Sequence, residues 1–483
     1  MSVKFKYNWG GLKYNKQTRE RDVFMKLDKE AVLDIMSARN IQTQTELAQR
    51  LQMDKSQLSQ MLSDDYTPIK SNVIKLMYAL NCSLEDIVTE EKGNEILEET
   101  NTLYSVDEVK DIQQTKLFDL PETADDRFKY KLEAYTDVTK VKPKNQYSVL
   151  ETFAGAGGLA LGLEKASLNS VGTIELDKHA SETLRQNRPE WNVMEADINE
   201  IAENGIESYE EFKNIKDLDV LSGGFPCQSF SYAGKGLGFE DTRGTLFYPY
   251  SQILKQIQPK IFLAENVKGL VNHDNGKTLF TMIKVFREAG YKVMWNVLNS
   301  WDYETAQKRE RIVVIGIRED LVAVEEYSFK FPEPVNPGLV LKDILKDVPH
   351  SVGTTYSEKK HKILEMVPPG GCWVDLPEDV AKDYMGASWH SGGGKRGMAR
   401  RMSWDEPSLT LTTSPSQKQT ERCHPEETRP FTVREYARIQ GFPDDWEFSG
   451  GVGAQYKQIG NAVPVNLAKY VGLAIVKYLN QFE

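Results

Sequence analysis

No stretch of this chain reaches about 18 consecutive apolar residues, so no membrane-spanning helix is expected. The basic N-terminal residues are not followed by an apolar run, which argues against a secretory leader and makes the cytoplasm the expected compartment. Cysteine is scarce: Cys82, Cys227, Cys372 and Cys423 lie far apart with no CxxC pair. That argues against a zinc site or a disulfide framework, leaves no metal expected, and fits a reducing environment. Positive charge is in the minority, with 60 Lys and Arg against 71 Asp and Glu and a net charge of −11. Any polyanion must therefore be held by local clusters, such as those at 4–21 and 395–401. The acid is concentrated between about Glu85 and Asp126. At 483 residues and 40% hydrophobic, the chain is too long for one ordinary domain and apolar enough to bury more than one core.

The organising stretch is Gly223-Gly224-Phe225-Pro226-Cys227-Gln228-Ser229-Phe230-Ser231. It follows Leu218-Asp219-Val220-Leu221, which reads as the end of a buried strand. Glycine and proline then place the cysteine on a loop at a strand's C-terminal end, where open α/β sheets bind ligands. A thiolate there can act as a nucleophile. A small buried cysteine in a turn is the alternative, which does not require a glycine-built loop.

Other segments carry chemistry in the same order. Tyr147–Phe153 reads as a strand, Ala154-Gly155-Ala156-Gly157-Gly158 as a glycine turn, and Leu159, Leu161, Leu163 and Ala166 as a following helix. Strand, glycine turn and helix form a cradle in which backbone approaches a ligand. Glu175 ends a second strand about twenty residues on, where an acid can take ribose hydroxyls. Asp197 ends a third element. Pro259–Val267 is an apolar strand that delivers Glu265-Asn266, and burial there would raise the Glu265 pKa. Val293–Leu298 and Arg311–Ile317 read as paired strands flanking Gln307-Lys308-Arg309-Glu310-Arg311. For each acid and arginine, a solvated or ion-paired strand end is the competing reading.

Residues 28–88 read as a helical unit: Asp28–Ser37 with Asp28 as N-cap, then 44–51, then Lys55–Leu62 after a tight turn at Met53-Asp54. Val32, Ile35, Met36, Leu47, Ala48, Leu51, Leu58, Met61 and Leu62 form the inward faces. A short polar helix after a tight turn is a helix-turn-helix signature, and Gln57 and Gln60 are placed to reach base edges. A bundle used for dimerisation or protein contact is the alternative. Residues 1–27, basic and aromatic, are a DNA-binding arm or a tail. Residues 91–145 read as a solvated linker.

Gly-Phe-Pro-Cys-Gln-Ser-Phe-Ser, with these segments in this order, resembles the DNA (cytosine-5) methyltransferases over roughly 146–481; the N-terminal unit resembles phage-repressor helix-turn-helix domains. The resemblance implies an α/β, Rossmann-like methyltransferase domain at 146–319 and 429–483, a smaller target-recognition domain at 320–428, and an all-α helix-turn-helix domain at 28–90. It implies S-adenosyl-L-methionine as cofactor, held by Phe153, Gly155, Gly157, Gly158, Glu175, Asp197, Pro226, Leu246, Asn461 and Val463, with Phe247 beside Leu246. It makes Cys227 the nucleophile, Glu265 the acid, Arg309 and Arg311 contacts to the target base, its phosphate or the nucleophile loop, and Gly234–Gly238 a lid. It also makes Arg429–Glu435 with Ile439–Pro443 a helix supporting the recognition domain. Double-stranded DNA is the implied partner, met through Ser229, Lys395, Arg396 and Thr410, with Arg400 and Arg401 in the same basic cluster; a tRNA substrate is the rival within the superfamily. The implied setting is restriction–modification, with a monomeric catalytic part, a helix-turn-helix part able to dimerise, and a regulatory role as an added or competing function.

Overall fold

A computed structural model describes residues 25–38, 41, 43–51, 55–63, 76, 80, 87–90, 134–213, 215, 217–226, 245–322, 329–390 and 396–482. Cys227, Ser229, Lys395, the 234–238 segment, most of the N-terminal arm and most of the 91–145 segment lie outside the described residues, as does the side chain of Gln57. The chain divides into two compact units, Met1–Leu132 and Glu133–Glu483.

The first unit contains β1 (Met25–Leu27), α1 (Lys29–Ala38), α2 (Gln44–Arg50), α3 (Lys55–Met61) and β2 (Val88–Glu90). Asp28 accepts from the Ala31 N–H at 3.0 Å and so starts α1 as expected. Val32, Met36, Leu47, Ala48, Leu51, Leu58, Met61 and Leu62 are all buried in one core, and Gln60 is exposed on α3. Residues 25–27 do not belong to an arm. They pair antiparallel with Val88–Glu90, which sets the residues just before α1 beside a strand some sixty positions further on.

The second unit is built on β3 (Tyr147–Thr152), α4 (Gly158–Lys165), β4 (Leu168–Glu175), α5 (Lys178–Asn187), β5 (Val193–Glu195), α6 (Ile198–Asn204), β6 (Val220–Gly223), α7 (Phe247–Ile257), β7 (Ile261–Val267), α8 (Lys277–Glu288), β8 (Tyr291–Asn299), β9 (Gln307–Lys308) and β10 (Glu310–Arg318). Then come α9 (Glu358–Glu365), α10 (Glu378–Met385), β11 (Ser408–Leu409), α11 (Val433–Gln440), α12 (Val452–Asn461) and α13 (Val465–Leu479). Seven strands form one sheet in the order β5-β4-β3-β6-β7-β10-β8. β3 to β7 are parallel; β10 runs antiparallel to both β7 and β8. The strand order reverses between β3 and β6, the crevice position where doubly wound sheets bind ligands.

One face of the sheet buries Val149, Val220 and Leu263 under α4 and α13; the other buries Leu150, Leu221 and Phe262 under α6, α7 and α8. α13 lies directly on α4. A Cβ at Gly162 would collide with Ala468 and the Val465 carbonyl, and one at Gly472 with Ala166.

Two expected boundaries move. Residues 134–145 are not linker: Tyr135 and Val138 are buried against the α13 face, and the Lys144 N–H donates to Asn480. Within 320–428, Leu341, Leu345, Met402 and Leu411 pack with α11 and α4, while a smaller core of its own spans Ile363 to Cys423. The expected strand at 408–412 pairs only through Ser408–Leu409, parallel to β9. α11 begins with a capping box in which Thr432 and Glu435 satisfy each other's backbone N–H groups.

Candidate active site

The C-terminal edge of the five parallel strands gathers Phe153, Glu175, Asp197, Pro226 and Glu265, one after or near the end of each strand. Phe153 directly follows β3, and its φ of +55° is a costly conformation for a bulky side chain. Its ring meets Phe225 edge-on at 6.3 Å, and Phe225 meets Phe247 at 5.7 Å. Phe247 is thus a core residue seating the loop after β6, with Leu246 half-buried beside it.

The glycine turn is shaped by two different demands. At Gly157, φ is +86° and a Cβ would sit 2.7 Å from Leu184 and 3.0 Å from Trp446. A Cβ at Gly158 would strike the Val463 carbonyl, so the return segment after α12 lies against the turn. At Gly155, φ is +55° and an added Cβ would meet nothing within 4 Å. The turn is closely packed beneath and open above. Glu175 joins it: one carboxylate oxygen accepts from the Gly155 N–H at 2.7 Å and the other from the Asp177 N–H at 2.7 Å. Each oxygen keeps acceptor capacity for a hydroxyl. Burial raises the Glu175 pKa, opposed by those N–H bonds. Asp197 caps α6 through Oδ1 alone, bonding the Asn199 N–H at 2.8 Å and its side chain at 2.9 Å. Oδ2 takes no bond among the described residues.

Leu176, beside Glu175, was not singled out from the sequence, yet it is 65% exposed at this crevice. Its signal was present: an apolar residue directly after the strand-end acid. Asn461 is exposed and Val463 half-buried at the end of α12, next to Gly158.

The second half of the edge is formed by β6 and β7. Their register pairs Gly223 with Ala264, so the loop after Gly223 and the Glu265 side chain leave the sheet together. A Cβ on Gly224 would lie 3.1 Å from the Glu265 carboxylate. Asn266 donates its side-chain N–H to the Phe225 carbonyl at 2.8 Å. Pro226 follows, exposed, one residue before Cys227.

Glu265 is nearly buried, and desolvation raises its pKa against the pull of Arg311 and Arg309. Arg311 Nε lies 2.8 Å from a Glu265 oxygen. Arg309 faces differently. It is 2% exposed and donates to the Leu411 carbonyl at 2.8 Å and the Gly460 carbonyl at 2.9 Å. Its two terminal nitrogens therefore join the turn between β9 and β10 to the segment at Leu411 and to α12.

The basic cluster after residue 395 divides. Arg401 is buried and donates to the carbonyls of Val367, His424 and Leu364, at 2.7, 3.1 and 2.7 Å, and to Thr428. It is internal framework, because those carbonyls at the end of α9 and in the loops beyond it need donors. Arg400 is ion-paired with Glu406 at 3.1 Å. Arg396 is exposed. The Thr410 hydroxyl donates to the Lys308 carbonyl at 2.8 Å.

Comparison with known proteins shows the family of each unit. Residues 147–477 match the model of the C-5 cytosine-specific DNA methylase family, and 32–92 match a Cro/C1-type HTH DNA-binding domain. The chain is 60% identical over 460 residues to Type II methyltransferase M.Sau96I of Staphylococcus aureus, covering 95% of this chain and 100% of that one. It is 55% identical over 357 residues to M.Eco47II of Escherichia coli, covering 72% and 83%. An E. coli prophage-encoded protein described as a DNA modification methyltransferase has a similar fold, with a TM-score of 0.51, 23% identity and coverage of 69% and 100%.

Proposed function

The chain belongs to the C-5 cytosine-specific DNA methylase family, as a restriction–modification-type enzyme with an HTH domain, and from that premise we propose how its residues perform the transfer. The observation that carries the reading is the shared exit of β6 and β7, with Asn266 fastening the loop that leads to Cys227 alongside the Glu265 carboxylate.

Carbon 5 of cytosine is a weak nucleophile. The Cys227 thiolate adds to carbon 6, forming a C–S bond and moving the ring's electrons toward carbon 5 and the ring nitrogen. Glu265 protonates or holds that nitrogen, stabilising the adduct. Burial raises its pKa against the opposing pull of Arg311 and Arg309, the direction that favours a carboxyl able to donate a proton. Arg311, on the Glu265 carboxylate, is placed to hold the base's carbonyl oxygen. Arg309, expected in that role, acts instead as a positioning residue between the two lobes, since its terminal nitrogens are held by backbone. Loss of the carbon-5 proton and of the sulfur yields the product. A stacked base cannot reach such a thiol, so the cytosine is flipped out at a cost of a few kcal/mol.

S-adenosyl-L-methionine supplies the electrophilic methyl group when bound. The cradle fits it: open space over Gly155, an acid with acceptor capacity at Glu175, a free carboxylate oxygen at Asp197 and an exposed apolar side chain at Leu176. Phe153, Gly157, Gly158, Pro226, Leu246, Asn461 and Val463 complete the pocket.

The N-terminal unit adds a second DNA contact through α3 and Gln60, with Gln57 alongside in sequence, and represses transcription from its own operon; it acts on cytoplasmic DNA. The decisive test of the reaction is a duplex carrying 5-fluorocytosine, which traps the protein covalently at Cys227. Failure to trap, with natural DNA still methylated, would falsify the nucleophile assignment; methylation of tRNA and not DNA would overturn the substrate.

A further inference from the structure

We propose that Gln419 and Arg396 are the base-reading pair of the recognition lobe, an inference that rests on the cytosine-methylation reading above. The argument begins with how residues 408–412 are held. The Leu411 carbonyl accepts from Arg309, and the Leu411 N–H donates to Gln307 at 3.0 Å. The Thr412 N–H and carbonyl both bond the Tyr436 hydroxyl, at 3.0 and 2.9 Å. The Thr410 carbonyl accepts from Arg422 at 2.5 Å. Gln307, Arg309, Tyr436 and Arg422 are all buried. Gln307 also donates to Gln440 at 2.6 Å, and Gln440 in turn to the Ala462 carbonyl. This strip of backbone is fixed against the catalytic sheet two residues along the chain from Arg311.

The loop that follows inherits that fixity. The Thr412 hydroxyl donates to the Ser414 carbonyl at 3.0 Å and touches that of Thr420 at 3.2 Å; Lys360 donates to the Ser416 carbonyl at 2.6 Å; the Arg422 N–H donates to the Pro415 carbonyl at 2.9 Å. Its polar tip, Gln417-Lys418-Gln419, is exposed. Gln417 bonds Thr420 within the loop at 3.2 Å, and Lys418 lies over the Tyr384 ring at 5.1 Å. Gln419 takes no side-chain bond among the described residues.

A second segment meets the loop at this point. The Glu421 N–H donates to the Gly397 carbonyl at 2.9 Å, and a Cβ at Gly397 would collide with the Gln419 carbonyl, so only glycine allows the two backbones to touch. Arg396, next to Gly397, is exposed, and its side chain is likewise unbonded among the described residues. The neighbouring candidates are occupied: Arg401 in its carbonyl cage, Arg400 on Glu406, and the Thr410 hydroxyl on Lys308. An amide and a guanidinium are the side chains that pair bidentately with adenine and guanine in the major groove. Placed on a braced scaffold, they specify sequence in the way loose side chains cannot.

The test methylates plasmid DNA in cells with the full chain as wild type, Gln419→Ala or Arg396→Ala, followed by bisulfite sequencing. The expected result is new 5-methylcytosine at sites differing from the wild-type target by one base pair, discrimination there falling about tenfold or more. Cofactor affinity stays unchanged. The same site pattern for both variants overturns the proposal. Should an alanine variant methylate nothing, Gln419→Glu and Arg396→Lys are assayed on a panel of single-mismatch duplexes. A shifted preference supports the pair; wild-type preference, or no methylation with cofactor binding intact, rejects it. Wild-type protein that methylates no DNA would instead remove the underlying reading.

Discussion

Asn266 donates its side-chain N–H to the Phe225 carbonyl across 2.8 Å, and this bond locks the exit of β6 to the exit of β7. The two residues are 41 apart in sequence, Phe225 two before Cys227 and Asn266 one after Glu265, the nucleophile and the acid of the proposed mechanism. Both are buried, so the bond is shielded from competing water. Asn266→Ala leaves the Phe225 carbonyl without its donor and frees the loop. Single-turnover methyl transfer should fall by about 10²-fold, the scale of a misplaced reacting group, while cofactor affinity measured by calorimetry holds. Equal losses in both would contradict a positioning role.

Glu265→Gln keeps the shape of the acid but not its titratable proton. Single-turnover transfer is expected to drop by about 10²- to 10⁴-fold. Trapping by 5-fluorocytosine should slow in parallel, because the adduct loses its stabilising partner. A variant with normal trapping would place the acid elsewhere.

Gly155 and Gly157 should lose different things on gaining a methyl group. Gly157→Ala drives a Cβ into Leu184 and Trp446 and lowers the unfolding free energy by about 1–3 kcal/mol. Gly155→Ala meets no protein atom and should cost about 1 kcal/mol through its positive φ alone, but it enters the open space that the proposed function gives to the cofactor. Thermal melts with and without S-adenosylmethionine separate these outcomes; a Gly155→Ala protein that is still stabilised fully by cofactor contradicts the cradle.

Glu151, buried on β3 with one oxygen lacking a partner among the described residues, has its pKa raised well above the ordinary range, by desolvation first and by Glu175 second. The folded chain therefore binds this proton more tightly than the unfolded chain. Its contribution to stability is present below the unfolded glutamate value of about 4.3 and is lost as pH rises through the raised folded value. Glu151→Gln should remove a slope of up to about 1.4 kcal/mol per pH unit. Urea midpoints should match wild type near pH 4.5 and exceed it at pH 7.5; a difference that does not grow with pH counts against the assignment.

Arg401 and Arg396, five positions apart, should behave as different classes of residue. Arg401→Met strands the Leu364, Val367 and His424 carbonyls and should cost about 3 kcal/mol or more. Arg396→Met should stay within about 0.5 kcal/mol of wild type. Denaturant titrations of the full chain decide this.

Residues 1–90 removed, the protein should still methylate DNA but no longer shift DNA from upstream of its own gene in a gel. The second compact unit begins at Glu133 and carries its own cores. Loss of methylation with intact cofactor binding would show that the two units act together on the substrate.

Local pattern carried far where the physics is local. The inward faces of α1 to α3 follow helical spacing, and the glycine turn, Glu175 and Glu265 all fall at strand ends that apolar runs announce. What was hidden depends on distant partners. Residues 134–145 read as solvated linker because Tyr135 and Val138 become core only when α13 covers them. Residues 25–27 read as an arm because their partner, Val88–Glu90, is some sixty residues on. Arg401 and Arg396 look alike in sequence; a cage of carbonyls from two other segments, at 364–367 and at His424, separates them.

The packing of α13 on α4 has a consequence for biosynthesis. Gly162 and Gly472 let the two helices touch, and the Val463 carbonyl rests on Gly158, so the glycine turn leaves the ribosome about 300 residues before the segment that flanks it. A nascent or prematurely terminated chain holds half a cradle, with the apolar surface of α4 uncovered. Exposed apolar surface of this kind is what chaperones and proteases engage.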